Sequence, residues 1–584
     1  MKRKYTSAQS LIAIALTLIL TGAILPVTTA NADEERLPRK ILTGWMPYYS
    51  VKNSMTSILA NKDLMSEVSP FWYSLTSATA IKDQYAGAKL TIPMKTQLDI
   101  LRANGLIIIP AITDGTKKLV LSGLLAKPST RSQVVNTITK LVLTNNYDGI
   151  DLDLEGFAFS DGTASWAKTS PNWVLFIKEL STLLHANGKI LSMTTPVIFD
   201  PVKKRSGSYW VYNWPETAPY IDRLRIMTYD YSTSKPGPIG PLEWTEATVA
   251  YAATLMPPSK IWLGVPGYGR DWITKVTGKC PTTYAKLIKA GAKAAVFAAN
   301  KGTELASTYG ATPVYSEKMG EVTFTYEKTY NEGTASCTAT RVAWYQNSRA
   351  YLARMELVAK HKLGGLTQWT LGQEDAETMP ALREYAKSIS PDVIIASLAS
   401  TTLSESSYGD KARISALFTL SDKRPAAALP ISIEARGEDE VEWKKIGEAT
   451  TSVTGIAEWD LILGRNMRLR ALSPGSWERL SATSNELAVS VKPLLEINAP
   501  TVAKAGVEFA ISVRAVPNEG SFNLEEFAKG KWVQIDQVTL GAPTESVLFN
   551  LTSTARGFHK YRITTVPSPR LLGKVSEEFT VLIR

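Results

Sequence analysis

Tyr147-Asp148-Gly149-Ile150-Asp151-Leu152-Asp153-Leu154-Glu155-Gly156-Phe157 is the stretch on which the reading of this chain turns. Extended, it puts Asp151, Asp153 and Glu155 on one face and Ile150, Leu152 and Leu154 on the other, because successive strand side chains point to opposite sides. So regular an apolar face belongs against a layer of helices, which leaves the acidic face looking into the interior of a closed sheet. It argues against a solvent-facing acidic strand and against an oxygen-rich metal site. Three carboxyls in line repel one another and resist burial, so at least one proton is expected to be shared among them. A carboxyl kept protonated near neutral pH is what a general acid needs.

Working outward, short apolar runs recur at regular intervals on both sides of this segment. They are 41–45, 71–73, 106–109, 149–154, 190–193, 224–227, 261–265 and 365–369. Helix-like periodicity fills the gaps, as at Thr96–Ala103, Ser132–Thr144, Trp173–His185 and Thr245–Leu255, and Ser170-Pro171-Asn172 reads as a helix start with Asn187-Gly188 as its stop. Eight strand-helix units within residues 41–386 predict an α/β fold, a closed (β/α)8 TIM barrel rather than an open doubly wound sheet. No glycine-rich loop follows the first strand, which disfavours a dinucleotide fold. In a barrel Glu155 falls at the C-terminal mouth, where barrel active sites lie. The interval before the last run is long, and its alternating Glu321–Tyr326 predicts a small inserted subdomain at about 273–345.

Composition narrows the chemistry. Of 584 residues, 44% are hydrophobic and 20% charged, which is globular rather than disordered. Three histidines, His185, His361 and His559, lie far apart, so zinc enzymes and His-based triads have little to build on and neither metal nor cofactor is expected. Lys2, Arg3 and Lys4, the apolar run Leu11–Leu25 and Ala30-Asn31-Ala32 read as a signal peptide over residues 1–32. The run is too short for a membrane span, so a secreted, extracellular protein free of the membrane after cleavage is expected. A diffuse positive surplus outside the cell favours anionic wall polymers over nucleic acid. In an oxidising compartment Cys280 and Cys337 most simply pair.

After Tyr385 the composition changes, and two stretches of period-two alternation follow. They predict two all-β, sandwich-like modules at 390–492 and 493–584, leaving 33–389 to the barrel. Ile431–Arg436, Trp443 and Met467–Ala471 of the first loosely match Ala510–Ala515, Trp532 and Lys560–Thr564 of the second. Wall or carbohydrate binding and a passive spacer role suit them equally.

The barrel resembles glycoside hydrolase family 18. Asp148, Asp151, Asp153 and Glu155 match its Asp-x-x-Asp-x-Asp-x-Glu signature, Met227-Thr228-Tyr229-Asp230 its sixth-strand element, and Leu263–Arg270 its seventh. Gly364-Gly365 with Trp369 is similar to its eighth, and the long insertion before that strand is similar to the family's α+β insertion. Two departures, Leu154 for an aromatic residue and Thr113-Asp114 where Ser-x-Gly-Gly is frequent, argue against a processive enzyme on crystalline chitin. The run Trp369–Asp375 resembles the branch acting on bacterial wall and spore cortex.

The resemblance implies a retaining, substrate-assisted mechanism, an exception to the two-carboxylate scheme. Glu155 would be the acid/base. Asp153 would orient the substrate acetamide, Asp151 would hold the proton that lets Asp153 turn, and Tyr229 would donate to the acetamide oxygen. Trp369 would floor the sugar, with Asp230, Tyr268, Arg270 and Asp148 as further substrate contacts. The implied substrate is β-1,4-linked N-acetylglucosamine polysaccharide, chitin or peptidoglycan. An endoglycosidase of N-glycans and a non-catalytic lectin on the same barrel are the alternatives, and the second typically lacks the acid that Glu155 supplies.

Overall fold

The computed structural model describes residues 36–400, 405–540 and 546–584; the expected signal peptide lies outside them. Eight parallel strands close on themselves: β1 (Leu42–Pro47), β2 (Glu67–Ser77), β3 (Ala111–Asp114), β4 (Gly149–Asp153), β5 (Ile190–Pro196), β6 (Arg223–Met227), β7 (Ile261–Pro266) and β8 (Gly365–Trp369). Each pairs with its sequence neighbours, and β1 pairs with both β8 and β2 to complete the ring. This is the TIM barrel. Ile150 and Leu152 of β4 are fully buried, in one apolar cluster with Ile138 and Val142 of helix Pro128–Thr144 and Phe176 and Leu180 of helix Trp166–Ala186.

Two elements differ from expectation. The third barrel strand is Ala111–Asp114 rather than 106–109; Ile107–Ile108 pairs only with β2, since Pro110 has no N–H to continue the ladder. The fourth long helix starts at Trp166, not after Pro171. The buried Trp166 indole donates to the Phe157 carbonyl (2.7 Å), which anchors the earlier turns, while Pro171 faces solvent at the cost of one helix bond.

Between β7 and β8 stands a five-stranded antiparallel sheet, in spatial order Ala295–Ala298, Tyr268–Gly278, Ala335–Tyr345, Glu321–Glu332, Val314–Ser316, with helix Gly302–Thr308. It begins at Tyr268, a few residues earlier than expected. A disulfide joins Cys280 to Cys337 across it. The fully buried Glu321 fastens this insertion to the loop after β6: it accepts from the Ile239 and Gly240 N–H groups (both 2.7 Å), Gln346 and Arg354.

The C-terminal third is all β. Strands Ile394–Ser400, Lys411–Leu420 and Ile456–Ile462 form one sheet, opposed by a larger one. Leu494–Asn498, Glu508–Val516 and Val547–Thr552 repeat the arrangement. Matching strand order pairs Pro430–Gly437 with Ser521–Ala528, so the Ile431–Arg436 segment is not the counterpart of Ala510–Ala515. Alternation alone cannot tell neighbouring strands apart; the other two matches hold. In each repeat an arginine lies over the tryptophan ring and pairs with a glutamate: Arg470 on Trp443 (4.2 Å) with Glu434, and Arg562 on Trp532 (4.4 Å) with Glu525. Leu571, from the second repeat, is buried in the core of the first. Towards the barrel, Arg39 lies over the Trp477 ring (3.9 Å) and Lys362 pairs with Glu478 (2.5 Å).

Candidate active site

β4 carries Asp151 and Asp153 inside the barrel and ends there; Glu155 stands just past it, in a single 3-10 turn (Glu155–Phe157) at the mouth. The turn is held from below by Tyr212, whose buried hydroxyl donates to the Leu154 carbonyl (3.0 Å). Gly156 has no space for a side chain, because the Asp114 carboxylate of β3 occupies it.

The two strand carboxylates have opposite surroundings. Asp151 is completely buried and fully engaged: its Oδ1 accepts from Ser192 (2.6 Å) and Thr194 (2.9 Å), and its Oδ2 from the Trp45 indole (3.0 Å) and the Arg225 guanidinium (3.2 Å). Arg225 also pairs with Glu67 (3.0 Å), and Glu67 with Arg223 (3.0 Å), so the barrel floor is a chain of alternating charges. Asp153, two residues on, has a buried Oδ1 with no hydrogen-bond partner among the described residues. Burial, then the charges of Glu155 and Asp151, push its carboxyl well above the ordinary range. Glu155 is pushed up to about 7, mainly by burial and next by the Asp230 charge. Burial also raises the Tyr229 phenol, which stays protonated and able to donate.

Glu155, Tyr229 and Asp230 line a cavity of about 850 Å³. Its other walls come from the loops after β5 (Arg205, Tyr209) and β6 (Tyr231), from Trp244 in the first turn of helix Leu242–Leu255, and from Lys318 at the tip of the insertion. Arg205 pairs with Glu243 (2.8 Å), also in the wall. Trp369 is not part of this wall. It stands on the β8 side, edge-on to Phe71 (4.7 Å) and Trp45 (5.9 Å), in a small aromatic group that includes Tyr229 and Tyr268. Glu155 is therefore in the cavity wall and Trp369 is outside it.

Other expected contacts fall out differently. Tyr268 and Arg270 do not line the cavity; the Tyr268 hydroxyl and the Arg270 guanidinium (2.6 Å) both donate to the Asp230 carboxylate, and so hold a residue that does. Asp148 is a correction. It precedes β4 at the floor, with its Oδ2 accepting from the Ile108 N–H (2.7 Å), so it ties two strand starts together and cannot meet a substrate at the mouth. The sequence reading missed Glu67 and Arg225. Arg225 had a visible signal, since a cation between Leu224 and Ile226 of a buried strand demands a partner. Among the described residues no cluster of His, Cys, Asp and Glu could hold a metal ion.

The chain was compared with known proteins. YdhD of Bacillus subtilis, named for a sporulation-specific glycosylase, is 25% identical over 357 residues, 60% of this chain and 72% of its own. The cortical fragment-lytic enzyme of Bacillus anthracis is 22% identical over 46% of this chain and 56% of its own. A solved chitinase from Chromobacterium violaceum aligns with a TM-score of 0.48 and 21% identity, covering 59% of this chain and 98% of that one. The sequence profile described as Glycosyl hydrolases family 18 matches residues 47–374, more than half the chain and every barrel strand but the first in full. With β4, the mouth and the loops around it all inside that match, the chain belongs to glycoside hydrolase family 18 and is a glycosidase.

Proposed function

We propose that this glycosidase is secreted and cleaves β-1,4-linked N-acetylglucosamine polysaccharide with retention, using the substrate's own acetamide as nucleophile. The observation that carries the reading is the pair at the mouth: a buried Asp153 with an unpartnered oxygen beside a Glu155 that titrates near neutrality. Glu155 gives its proton to the glycosidic oxygen as the acetamide carbonyl oxygen attacks the anomeric carbon and the leaving sugar departs. The oxazolinium so formed carries a positive charge that the Asp153 carboxylate offsets, while the Tyr229 hydroxyl donates to the acetamide oxygen. Glu155, now a carboxylate, takes a proton from the water that opens the ring from the other face. Two inversions at one carbon give retention.

Trp369 suits the floor for the sugar that reacts, which leaves the cavity on the far side of Glu155 for the departing portion of the chain. Peptidoglycan is the favoured polymer. Arg205 and Lys318 in the cavity wall suit a glycan carrying carboxylates, and relatives named for sporulation and cortex lysis point the same way. The signal-like N-terminus and the Cys280–Cys337 bond support export.

The test is to incubate the protein with chitin oligomers, peptidoglycan and a high-mannose glycoprotein, and to size the products and assign the first-formed anomer. Fragments of peptidoglycan or chitin as the β-anomer are expected, and N-deacetylated oligomers should resist cleavage. An α-anomer first product, or equal cleavage of deacetylated glycan, rules out substrate assistance; release of the N-glycan alone reassigns the substrate.

A further inference from the structure

We propose that Arg225 fixes Asp151 as a permanent anion, so that the mobile proton of the acidic strand is shared by Asp153 and Glu155 alone and Asp151 takes no part in its transfer. This rests on the reading of Glu155 as the acid and alters the role expected for Asp151.

Trp45 Nε1 and Arg225 Nη1 have only hydrogens to offer, and both converge on Asp151 Oδ2. The Ser192 and Thr194 hydroxyls have no acceptor other than this carboxylate among the described residues, so their hydrogens also point at it. A proton on Asp151 would displace one of these four donors. Charge gives the same answer. At the floor, Arg223 and Arg225 face Glu67 and Asp151, two cations against two anions, all on buried or half-buried groups with Arg225, Glu67 and Asp151 at zero exposure. Neutralising Asp151 would leave that network with a surplus buried cation, which is strongly disfavoured.

Above Asp151 the compensation stops. Asp153 faces the charges of Glu155 and Asp151 and makes no ion pair among the described residues, and the phenols of Tyr212 and Tyr229 on this side are neutral donors or acceptors. Asp230 adds a further negative charge against Glu155, although its own carboxylate is shared with Arg270 and Tyr268. A proton entering the acidic face therefore settles on Asp153 or Glu155. Arg225 touches neither substrate nor reacting atoms; it is a positioning residue that acts through the charge of Asp151.

The pH–rate profile on a soluble N-acetylglucosamine oligomer separates this from the alternative in which Asp151 carries the proton. Asp151→Asn removes a negative charge if Asp151 is an anion, so both limbs of the profile move to lower pH by about one unit. If Asp151 is protonated, the same change is isoelectric and the limbs stay in place. The double variant Asp151→Asn/Arg225→Met removes an ion pair in the first case, leaving the limbs at their wild-type positions. In the second case it removes a lone cation and moves them to higher pH. The double variant should also unfold at a higher denaturant concentration than Asp151→Asn, in which Arg223 and the buried Arg225 are left to share Glu67 as their one carboxylate. An unshifted Asp151→Asn profile, an upward-shifted double, or a double less stable than the single each overturns the proposal. Glu155→Gln run alongside keeps the two readings apart: if it is fully active the assignment of the acid has failed, whereas if it is inactive a wrong limb pattern counts against Arg225 alone.

Discussion

The floor and the mouth of this barrel are built from the same residue types and behave in opposite ways. At the floor, Asp151, Glu67, Arg223 and Arg225 neutralise one another pair by pair, and Asp148 spends its carboxylate on a backbone N–H. At the mouth, Asp153 and Glu155 are buried with no ion pair to either among the described residues, and both are driven towards their protonated forms. Burial is common to the two ends; compensation is not. Charge that is answered serves folding, and charge left unanswered is available for chemistry.

The sharpest way to break the contrast is at the mouth. Glu155→Gln keeps shape and removes the transferable proton, so turnover should drop by about 10²–10⁴-fold while oligomer binding persists. Steady-state rates and a binding isotherm on the same variant check this, and normal turnover in a folded protein would remove Glu155 from the mechanism. At the floor the expected loss is of stability. Arg225→Met leaves two buried carboxylates with one cation fewer and should cost about 3–5 kcal/mol, read from denaturant unfolding. A loss below 1 kcal/mol would mean that the floor network is dispensable.

A smaller effect runs against intuition. Glu155 has a folded-state pKa raised from 4.5 to about 7, so folding makes it bind its proton more tightly and wild-type stability falls as pH rises through that window. Glutamine does not titrate. Glu155→Gln should therefore be the more stable protein above pH 7, by about 1–3 kcal/mol, with the advantage closing as pH drops to about 4.5. An advantage that is the same at pH 4 and pH 8 would place its origin in packing instead. The smallest effect is expected at Asp148, where Asp148→Asn should cost about 1 kcal/mol of stability and leave turnover unchanged, despite its place in the acidic signature. A large fall in turnover with stability intact would move Asp148 from the floor to the mouth.

The barrel could be read from residues because its signals are local. The alternation of 149–155 and the spacing of apolar runs depend on neighbours in sequence, and Pro110 misled only by shifting one strand past it. The mouth acids were legible for the same reason. The floor was not, since Glu67 and Arg225 meet across the barrel from strands far apart in the chain, and the strand holding Glu67 begins before its most apolar run. The cavity walls were equally hidden: Arg205, Tyr209 and Lys318 sit on loops whose conformation follows from tertiary contacts such as the grip of Glu321 on the Ile239–Gly240 backbone. The β repeats match one strand away from where their sequences suggest for Ile431–Arg436, because period-two alternation carries no label.

Leu571 has a bearing on how the tail could work. Seated in the core of the neighbouring repeat, and flanked by backbone bonds from Asn466 to Arg570 (2.6 Å) and from Leu572 to Val491 (2.8 Å), it ties the two sandwiches together. The first sandwich is in turn fastened to the barrel through Arg39 on Trp477 and Lys362 on Glu478. A polymer gripped by either sandwich would be offered to the cutting edge at a set span, with an effective concentration governed by that span and not by the average over a floppy tether.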